Sequence, residues 1–453
     1  MRSYAIAYTL CVLMVVAGTS LAQPPGRAPE FVRSPYTVTI GNPDSNWRIT
    51  PYGQVELRLS HDSTRSYADS IGGVVLVHDD SLGSKRGRMQ FSARGSRLGF
   101  KMEAPTYHGI RPLALVEGDF EGNQPSDVSE ASLYGNATFR LRHAYIKLLS
   151  DPIDVLAGQT WGLFGHQPFF FPSSSQSLFY LPIPNAVLVR TMQVRISHAF
   201  KSKPIDVEVA AAAVRPPQRD AALPEGQAAV RVRFNRIRGL PSCDAGTDGT
   251  PTDALTIGFS GLVRAFDVDE PSSRPTSTRT ATGWGVSIDA LVPIIPVKSV
   301  ENRGNALTFT GSFVHGRGIA DQTRTQAGAT FPPIQGYAPN VDSGLVTYDA
   351  NGELRTIDWR TFVVTLQYYL PPKGRLFVAT NYTQAQSSNV ASLTDPSQVA
   401  RVYKLARYFD ANVFFDVTPA LRAGLSYHLT FQRFVDDASA RNHRWMLSAY
   451  YFF

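Results

Sequence analysis

Arginine and lysine alternate with apolar residues in several short stretches of the sequence. In "VELRLS" (55–60) and "VRVRFN" (230–235), basic residues occupy positions between valine, leucine and phenylalanine. The same alternation occurs in "QVRISHAF" (193–200) and "RLGFKME" (97–103). A guanidinium group stays charged and binds carboxylates or phosphates through a planar fork of donors. The pattern therefore indicates a surface that attracts anions, provided that one structure brings these stretches together.

Alternation with a period of two is typical of β-strands that have one polar and one apolar face. We predict sixteen such strands, over 49–60, 87–103, 110–121, 138–149, 153–161, 190–200, 205–214, 227–238, 255–267, 282–292, 304–316, 358–370, 374–386, 402–417, 421–434 and 442–453. An even number of long strands predicts an all-β, transmembrane antiparallel β-barrel. A secreted β-sandwich would alternate in the same way but would not need so many long strands.

The connections between these strands alternate in length. Short turns such as "SDP" and "TPA" follow the even-numbered strands. Long segments follow the odd-numbered ones, at 61–86, 121–137, 162–189, 317–357 and 387–401. Short turns at one end and long extracellular loops at the other are typical of outer-membrane barrels. Gaps 239–254 and 293–303 are longer than this rule expects, so either those turns are unusual or the strand count is wrong by a pair.

Two strands do not keep a single alternation. Met89 and Phe91 predict one outward face and Leu98 and Phe100 the other, which a bulge at Gly95 would reconcile. In strand 138–149 the apolar residues fit both faces, so its orientation stays open.

The N-terminal residues predict export from the cytoplasm. Arg2, an apolar run and "SLA" before Gln23 are typical of a cleaved signal peptide at 1–22. We assign 23–48 to a periplasmic segment and 49–453 to the barrel. Removal of Arg2 lowers the net charge from +7 to +6, and Cys243 becomes the sole cysteine. The remaining sequence contains no apolar run long enough for a transmembrane helix and no nucleic-acid-binding motif.

The sequence resembles the general porins of Gram-negative bacteria, and within them the DcaP-like outer-membrane porins. The resemblance is carried by "YGQVELRL" (52–59), "SRLGFKME" (96–103), "EGDFEG" (117–122), "LRHAYIKL" (141–148), "GQTWGLF" (158–164) and the terminal phenylalanine. It implies a homotrimer in the outer membrane that lets small hydrophilic, preferentially anionic solutes diffuse passively. It also implies that the third long loop folds inward to narrow the pore.

The third long connection is 162–189 and contains no aspartate, glutamate, lysine or arginine. Its candidate constriction residues are His166, Phe169, Phe170, Phe171 and Tyr180. The aromatic residues could guide sugars or could simply pack the loop against the wall. His166 could titrate near neutral pH or be an ordinary loop histidine. Selectivity would then have to come from charged side chains on the strands.

The candidate selectivity residues are basic residues predicted to line the pore. They are Arg58, Arg88, Arg97, Lys101, Arg140, Arg142, Arg195, Arg231 and Arg233. Acidic residues share the same face, at Glu56, Glu103, Glu117, Asp206 and Glu208. Two interpretations remain open. The excess of arginine creates a field that attracts anions, or the arginines pair with these acids in a static ladder.

The chain ends in "LSAYYFF", and Tyr451 and Phe453 match the aromatic pair that the barrel-assembly machinery reads in this class of protein. The same residues could serve only as part of an aromatic girdle. We expect contacts with outer-membrane lipid and lipopolysaccharide.

We predict that the protein is not an enzyme and has no cofactor. No G-x-S-x-G or H-E-x-x-H motif occurs, although some outer-membrane barrels are hydrolases or adhesins, and those functions remain the alternative. "DVDE" (267–270) could bind Ca²⁺ but fits a solvated loop equally well.

Overall fold

A computed structural model describes residues 38–42, 45–67, 75–122, 137–165, 183–187, 189–216, 221, 223–239, 254–299, 302–323 and 340–453. Its strands are β1 (Val38–Asn42), β2 (Ser45–Asp62), β3 (Arg88–Ser92), β4 (Arg97–Glu103), β5 (Arg111–Asp119), β6 (Arg140–Leu149), β7 (Asp154–Trp161), β8 (Arg190–Phe200), β9 (Ile205–Val214), β10 (Glu225–Arg238), β11 (Ala254–Asp269), β12 (Thr278–Ile295), β13 (Leu307–Arg317), β14 (Val346–Tyr348), β15 (Leu354–Thr356), β16 (Asp358–Tyr369), β17 (Leu376–Gln386), β18 (Tyr403–Asp416), β19 (Leu421–Phe434) and β20 (Ser439–Phe452). One helical turn, α1 (Ala320–Thr323), and short 3-10 turns at Gly83–Lys85, Ala391–Leu393 and Val399–Arg401 complete the described elements.

Antiparallel pairing closes these strands into a barrel. Each strand from β4 to β13, and then from β16 to β20, pairs with the next, and β20 returns to β2. Strands β3 and β4 share one position because both pair with the same edge of β2. The short β1 extends the sheet beside the start of β2, and β14 and β15 form a separate hairpin. The barrel therefore has sixteen strand positions, and all sixteen predicted strands are confirmed.

Side chains alternate between the two faces of the wall, as the sequence predicted. Val55 and Leu57 are 46% and 55% exposed on the outside, whereas Glu56 between them is 2% exposed on the inside. Met192, Val194 and further apolar residues follow the same rule on β8. An apolar exterior around a polar interior is the arrangement of a membrane-spanning barrel. No helix among the described residues is long and apolar enough to span a bilayer.

Irregularities in two strands explain the breaks in alternation. Residues 93–96 interrupt the strand between β3 and β4, with a hydrogen bond from Ser96 N to Ala93 O, so the predicted bulge around Gly95 is confirmed. In β6 the register shifts opposite Glu117 and Gly118. Arg142 and His143 are both buried there, because the bulge turns two consecutive side chains inward. Both alternations predicted for strand 138–149 are therefore present, one on each side of the bulge.

The two ends of the barrel differ. Turns 104–110, 150–153, 201–204, 370–375 and 417–420 close one end. The longer connections 63–87, 120–139, 162–189, 318–357 and 387–402 lie at the other. The connections 239–253 and 296–306 are unusually long for their end, whereas the strand count itself is correct.

An apolar cluster, here called the loop cluster, forms where long connections meet the inward face of β11–β20. Ile183, Leu345 and Ile357 from the connections are almost fully buried in it. They share the cluster with inward-facing strand residues, among them Phe266 and Tyr408. The long connections therefore fold into the barrel and cover this part of its wall.

Candidate pore

The described flanks of the third long connection lie inside the barrel, one against β10 and the other against β17. After β7, the backbone N–H groups of Leu163 and Phe164 donate to Gln227 Oε1 on β10, at 2.7 and 3.1 Å. Before β8, Asn185 Nδ2 donates to Thr383 Oγ1 on β17 at 3.0 Å. Strand β17 is eight positions from β7 along the closed sheet and thus lies on the opposite wall. The predicted inward fold of this loop is confirmed.

The five residues predicted to form the constriction, at 166, 169, 170, 171 and 180, lie outside the described residues. Their positions relative to the pore stay predictions. The flanks fix where the connection leaves β7 and where it touches β17.

The nine basic residues predicted to line the pore point toward the interior of the barrel. They fall into two groups and two separate positions. The β2–β6 group contains Arg58, Arg97, Arg140 and Arg142, and the β8–β10 group contains Arg195, Arg231 and Arg233. Arg88 and Lys101 stand apart from both.

The β2–β6 group is paired throughout with carboxylates. Arg58 contacts Glu56 and, at 2.9 Å, Glu121. Arg140 reaches Asp119 at 2.7 Å and Glu121 at 2.9 Å. The group extends through two more pairs, Arg142 with Asp119 at 2.9 Å and Arg97 with Glu117 at 3.5 Å. Four arginines thus face the four carboxylates at 56, 117, 119 and 121, and the static ladder is present on this part of the wall.

The β8–β10 group has a different environment. Arg233 Nη2 lies 3.5 Å from Asp206 Oδ2, and Asn235 Oδ1 accepts from its Nε at 2.8 Å. Arg195, 4% exposed, donates to Gln193 Oε1 and to the carbonyl oxygen of Trp161. Glu208 and Arg231 lie close enough to attract and repel it, respectively. Arginines here are held partly by neutral acceptors.

The two separate residues lie at other depths. Arg88 Nη1 donates to the carbonyl oxygen of Tyr67 at 2.9 Å, which ties β3 to the first long connection. Lys101 Nζ lies 3.7 Å from Glu103 Oε1, toward the end of the barrel that carries short turns.

Sequence reasoning missed Arg190, whose guanidinium carbon lies 4.7 Å from the centre of the Trp161 ring. The alternation of β8 would place Arg190 outside with Met192. Its charge is nevertheless repelled by those of Arg97, Arg140 and Arg142 and attracted by that of Glu117, which places it in the interior. No local sequence signal predicts this exception. Among the described residues, Arg190 has no carboxylate in salt-bridge contact.

Other inward arginines follow the alternation and were detectable in principle. They form buried pairs: Arg264 with Glu225 and Asp321, Arg444 with Asp62, and Arg422 with Asp416, which also contacts Arg303 from the connection 296–306. Their strands alternate regularly, for example "VRAFD" around Arg264.

The C-terminal residues complete the closure of the barrel. Phe453 N and O exchange hydrogen bonds with Gly53 O and N on β2, at 3.2 and 2.9 Å. Tyr451 faces outward and is 52% exposed, as a girdle residue would be. Recognition of these residues by assembly machinery stays a prediction.

The "DVDE" segment does not gather its acids around one point. Glu270 accepts hydrogen bonds from Thr276 and Ser277 instead. Within the described part of the chain, no group of three histidine, cysteine, aspartate or glutamate residues has a spacing suited to a metal ion.

No protein-family model and no curated protein sequence matches the chain. Among solved structures, the outer membrane channel DcaP of Acinetobacter baumannii is similar, with a TM-score of 0.61 and 17% sequence identity over 90% of this chain and 97% of that one. OmpF of Salmonella typhi, solved in complex with daunomycin, has a TM-score of 0.52 and 10% identity over 92% of this chain and 100% of that one. The closed polar-lined barrel and both likenesses agree: this chain has the fold of the outer-membrane porins.

Proposed function

We propose that this protein is a porin through which small hydrophilic solutes, preferentially anions, diffuse passively across the outer membrane. The observation that carries the proposal is the placement of the described flanks of the third connection, which lie inside the barrel at Gln227 on β10 and at Thr383 on the wall opposite β7. A segment in that position narrows the lumen and makes passage depend on size and charge.

The preference for anions is supported by the inward arginines that do not belong to the β2–β6 ladder. The β2–β6 ladder balances its own charge and contributes little net field. Arg190 and Arg195 have no carboxylate in salt-bridge contact among the described residues. The connection 162–189 adds no acidic residue to oppose them. Glu117 and Glu208 attract Arg190 and Arg195, respectively, from beyond salt-bridge contact. A desolvated guanidinium without a carboxylate in contact attracts anions in a narrow lumen.

The test is a planar-bilayer recording of the purified protein under a salt gradient. Discrete conductance steps with a reversal potential on the anion side are expected. Substitution of Arg190 and Arg195 by glutamine should move the reversal potential toward cations, because it removes the two inward charges on which the preference for anions rests. A matched control replaces Lys85, Arg86 and Arg274, which are exposed on connections. Equal reversal potentials in wild type, variant and control would reject the role of these arginines.

The loop cluster favours one alternative function. If the connections fill the whole cross-section, the protein is a non-channel barrel, such as an adhesin or a barrel hydrolase. A folded, heat-modifiable protein without conductance would support that alternative. The homotrimer implied by the resemblance also stays a proposal, which cross-linking in membranes would test.

A further inference from the structure

The connection between β12 and β13 is unusually long for the end of the barrel that carries short turns. Its described residues, 296–299 and 302–306, are here called the turn strap. Ser299 and Asn302 exchange backbone hydrogen bonds of 3.4 and 3.3 Å, which close the tip of the strap into a tight turn. The next residue, Arg303, is 4% exposed. A buried arginine at this place indicates that the strap does not project away from the barrel.

The turn strap packs against aromatic residues of the inner wall. Its Val297 and Ala306 are almost fully buried in an apolar cluster. The other members of this cluster come from β16, β17, β18 and β20, and they are Tyr369, Phe377, Phe414, Tyr450 and Phe452. Along their strands they share the alternation of buried polar residues such as Gln367, Asn412 and Ser448, and therefore face the lumen. The strap thus lies inside the barrel.

A buried ion pair holds the tip of the strap against a distant strand. Arg303 Nη2 donates to Asp416 Oδ2 on β18 at 2.8 Å, and Arg422 Nε donates to the other oxygen of the same carboxylate at 2.6 Å. Strand β18 is three positions from β13 in the closed sheet. At about 4.8 Å for each position, the strap reaches about 14 Å along the inner wall.

Backbone contacts fix the base of the strap. Asn305 N donates to Tyr369 O at 2.8 Å, and Tyr369 N donates to Ala306 O at 2.9 Å. Gly304 passes so close to the neighbouring turn that a Cβ there would lie 2.3 Å from Pro372 O. Glycine is the residue that permits this approach. The strap is therefore held at its base, along its apolar side and at its tip.

We propose that the turn strap forms a second narrow point of the pore, at the end opposite the long connections. This inference rests on the proposed porin function and adds a size filter to it. A segment that packs over inward-facing side chains lies about 10 Å in from the wall, which is the spacing of two packed layers. Sixteen strands tilted by about 40° enclose a barrel about 32 Å across between backbones. The strap takes up about a third of that width, so a solute passes two narrow points in series.

Single-channel recording with polyethylene glycols of graded size tests this assignment. The polymers are added to one side of the bilayer at a time. The largest polymer that still enters and lowers the conductance gives the exclusion limit of the mouth that faces that side. One variant replaces 297–304 with Asn-Gly, which removes most of the strap and leaves a connection about as long as turn 370–375. A second variant, Arg303→Met, removes the ion pair of the strap and leaves Asp416 paired with Arg422.

The matched control is Arg375→Met. Arg375 belongs to the neighbouring turn at the same end of the barrel. Its guanidinium carbon lies 5.3 Å from the centre of the outward-facing Phe415 ring, and its Nε donates to the Asp416 carbonyl oxygen at 2.9 Å. The control therefore makes the same substitution at the same end but outside the lumen. Heat-modifiability verifies that each variant is folded.

Removal of the strap should raise the exclusion limit on one side of the bilayer by up to about 10 Å in polymer diameter, the thickness that the strap occupies. Arg303→Met should raise it by less, because the packing of Val297 and the backbone bonds of Asn305 remain. The control should match wild type, and the limit on the other side should be the same in all proteins.

Three results would overturn the inference alone: equal limits in wild type and the folded variants, an equal shift in the control, or an equal shift on both sides of the bilayer. The channel would still conduct in each case, so the proposed function would stand. Absence of conductance in every folded protein would overturn the proposed function and the inference with it. If the shortened variant does not fold, Arg303→Met decides, and a limit equal to that of wild type rejects the second narrow point.

Discussion

Replacing Thr383 with valine should release the third connection from the wall that faces β7. The Thr383 hydroxyl donates to Pro184 O at 2.9 Å and accepts from Asn185 Nδ2 at 3.0 Å. Valine keeps nearly the same shape but removes both hydrogen bonds. The Asn185 amide is 4% exposed and loses its partner without gaining water.

Loss of two neutral hydrogen bonds, at about 1 kcal/mol each, weakens the attachment by about 2 kcal/mol. That free energy corresponds to about a 30-fold shift from the attached toward the detached loop. A loop detached about 30 times more often should add visible transitions to single-channel records, with brief excursions to a higher conductance.

Single-channel recording in a planar bilayer measures this effect directly. Thr380→Val is the matched control, because Thr380 lies on the outer face of the same strand and its hydroxyl donates to the Asp410 carbonyl oxygen, at 2.7 Å. The control should behave as wild type. If Thr383→Val records have the same conductance and noise as wild type, the attachment of the connection to β17 does not limit passage, and the inference fails.

Three other predictions concern closure, stability and acid. Gly53→Ala places a methyl group 2.7 Å from Phe453 Cζ and 2.4 Å from Arg97 O, so the heat-modifiable folded fraction should fall. The control Gly261→Ala, whose new methyl group would have its nearest neighbour at 3.5 Å, should fold normally. Asp62→Asn leaves Arg444 buried without its carboxylate and should cost about 3–5 kcal/mol in unfolding experiments, whereas the exposed Asp437→Asn should show no measurable loss. Hydrogen bonds from Ser277 and Thr276 lower the pKa of Glu270 from 4.5 to about 2. Hydrogen exchange in 271–277 should therefore stay slow at pH 4 and accelerate only as the pH falls through about 2. Exchange that is already fast at pH 4, or that depends equally on pH in Glu270→Gln, would contradict this.

The fold was largely predictable from the sequence because a barrel in a membrane makes strict local demands. Every strand must alternate, and turn residues must interrupt the alternation, so β2, β8 and β10 are visible in the sequence. Bulges are harder: the one at Gly95 could be predicted from the change of alternation, whereas the one in β6 had no signal of its own. The orientation of β6 required the register that only its neighbour β5 supplies.

The charge pattern of the lumen was predictable only in part. Alternation identified which residues face inward, but pairing depends on contacts between distant strands. Arg58 meets Glu121 across 63 residues of sequence, and no local pattern indicates that contact. Arg190 was missed for a different reason. The alternation of β8 is regular and assigns Arg190 to the outer face, whereas its side chain lies in the interior.

The seam between β2 and β20 has a consequence for folding kinetics. Its pairs join residues as far apart as Asp62 and Arg444, which are separated by 382 positions. Contacts of such sequence separation form late, because the loop-closure entropy must be overcome before they contribute. Strand β2 therefore keeps one unsatisfied edge while the other strands assemble. During that interval the exposed edge is the most vulnerable part of the chain to pairing with another molecule.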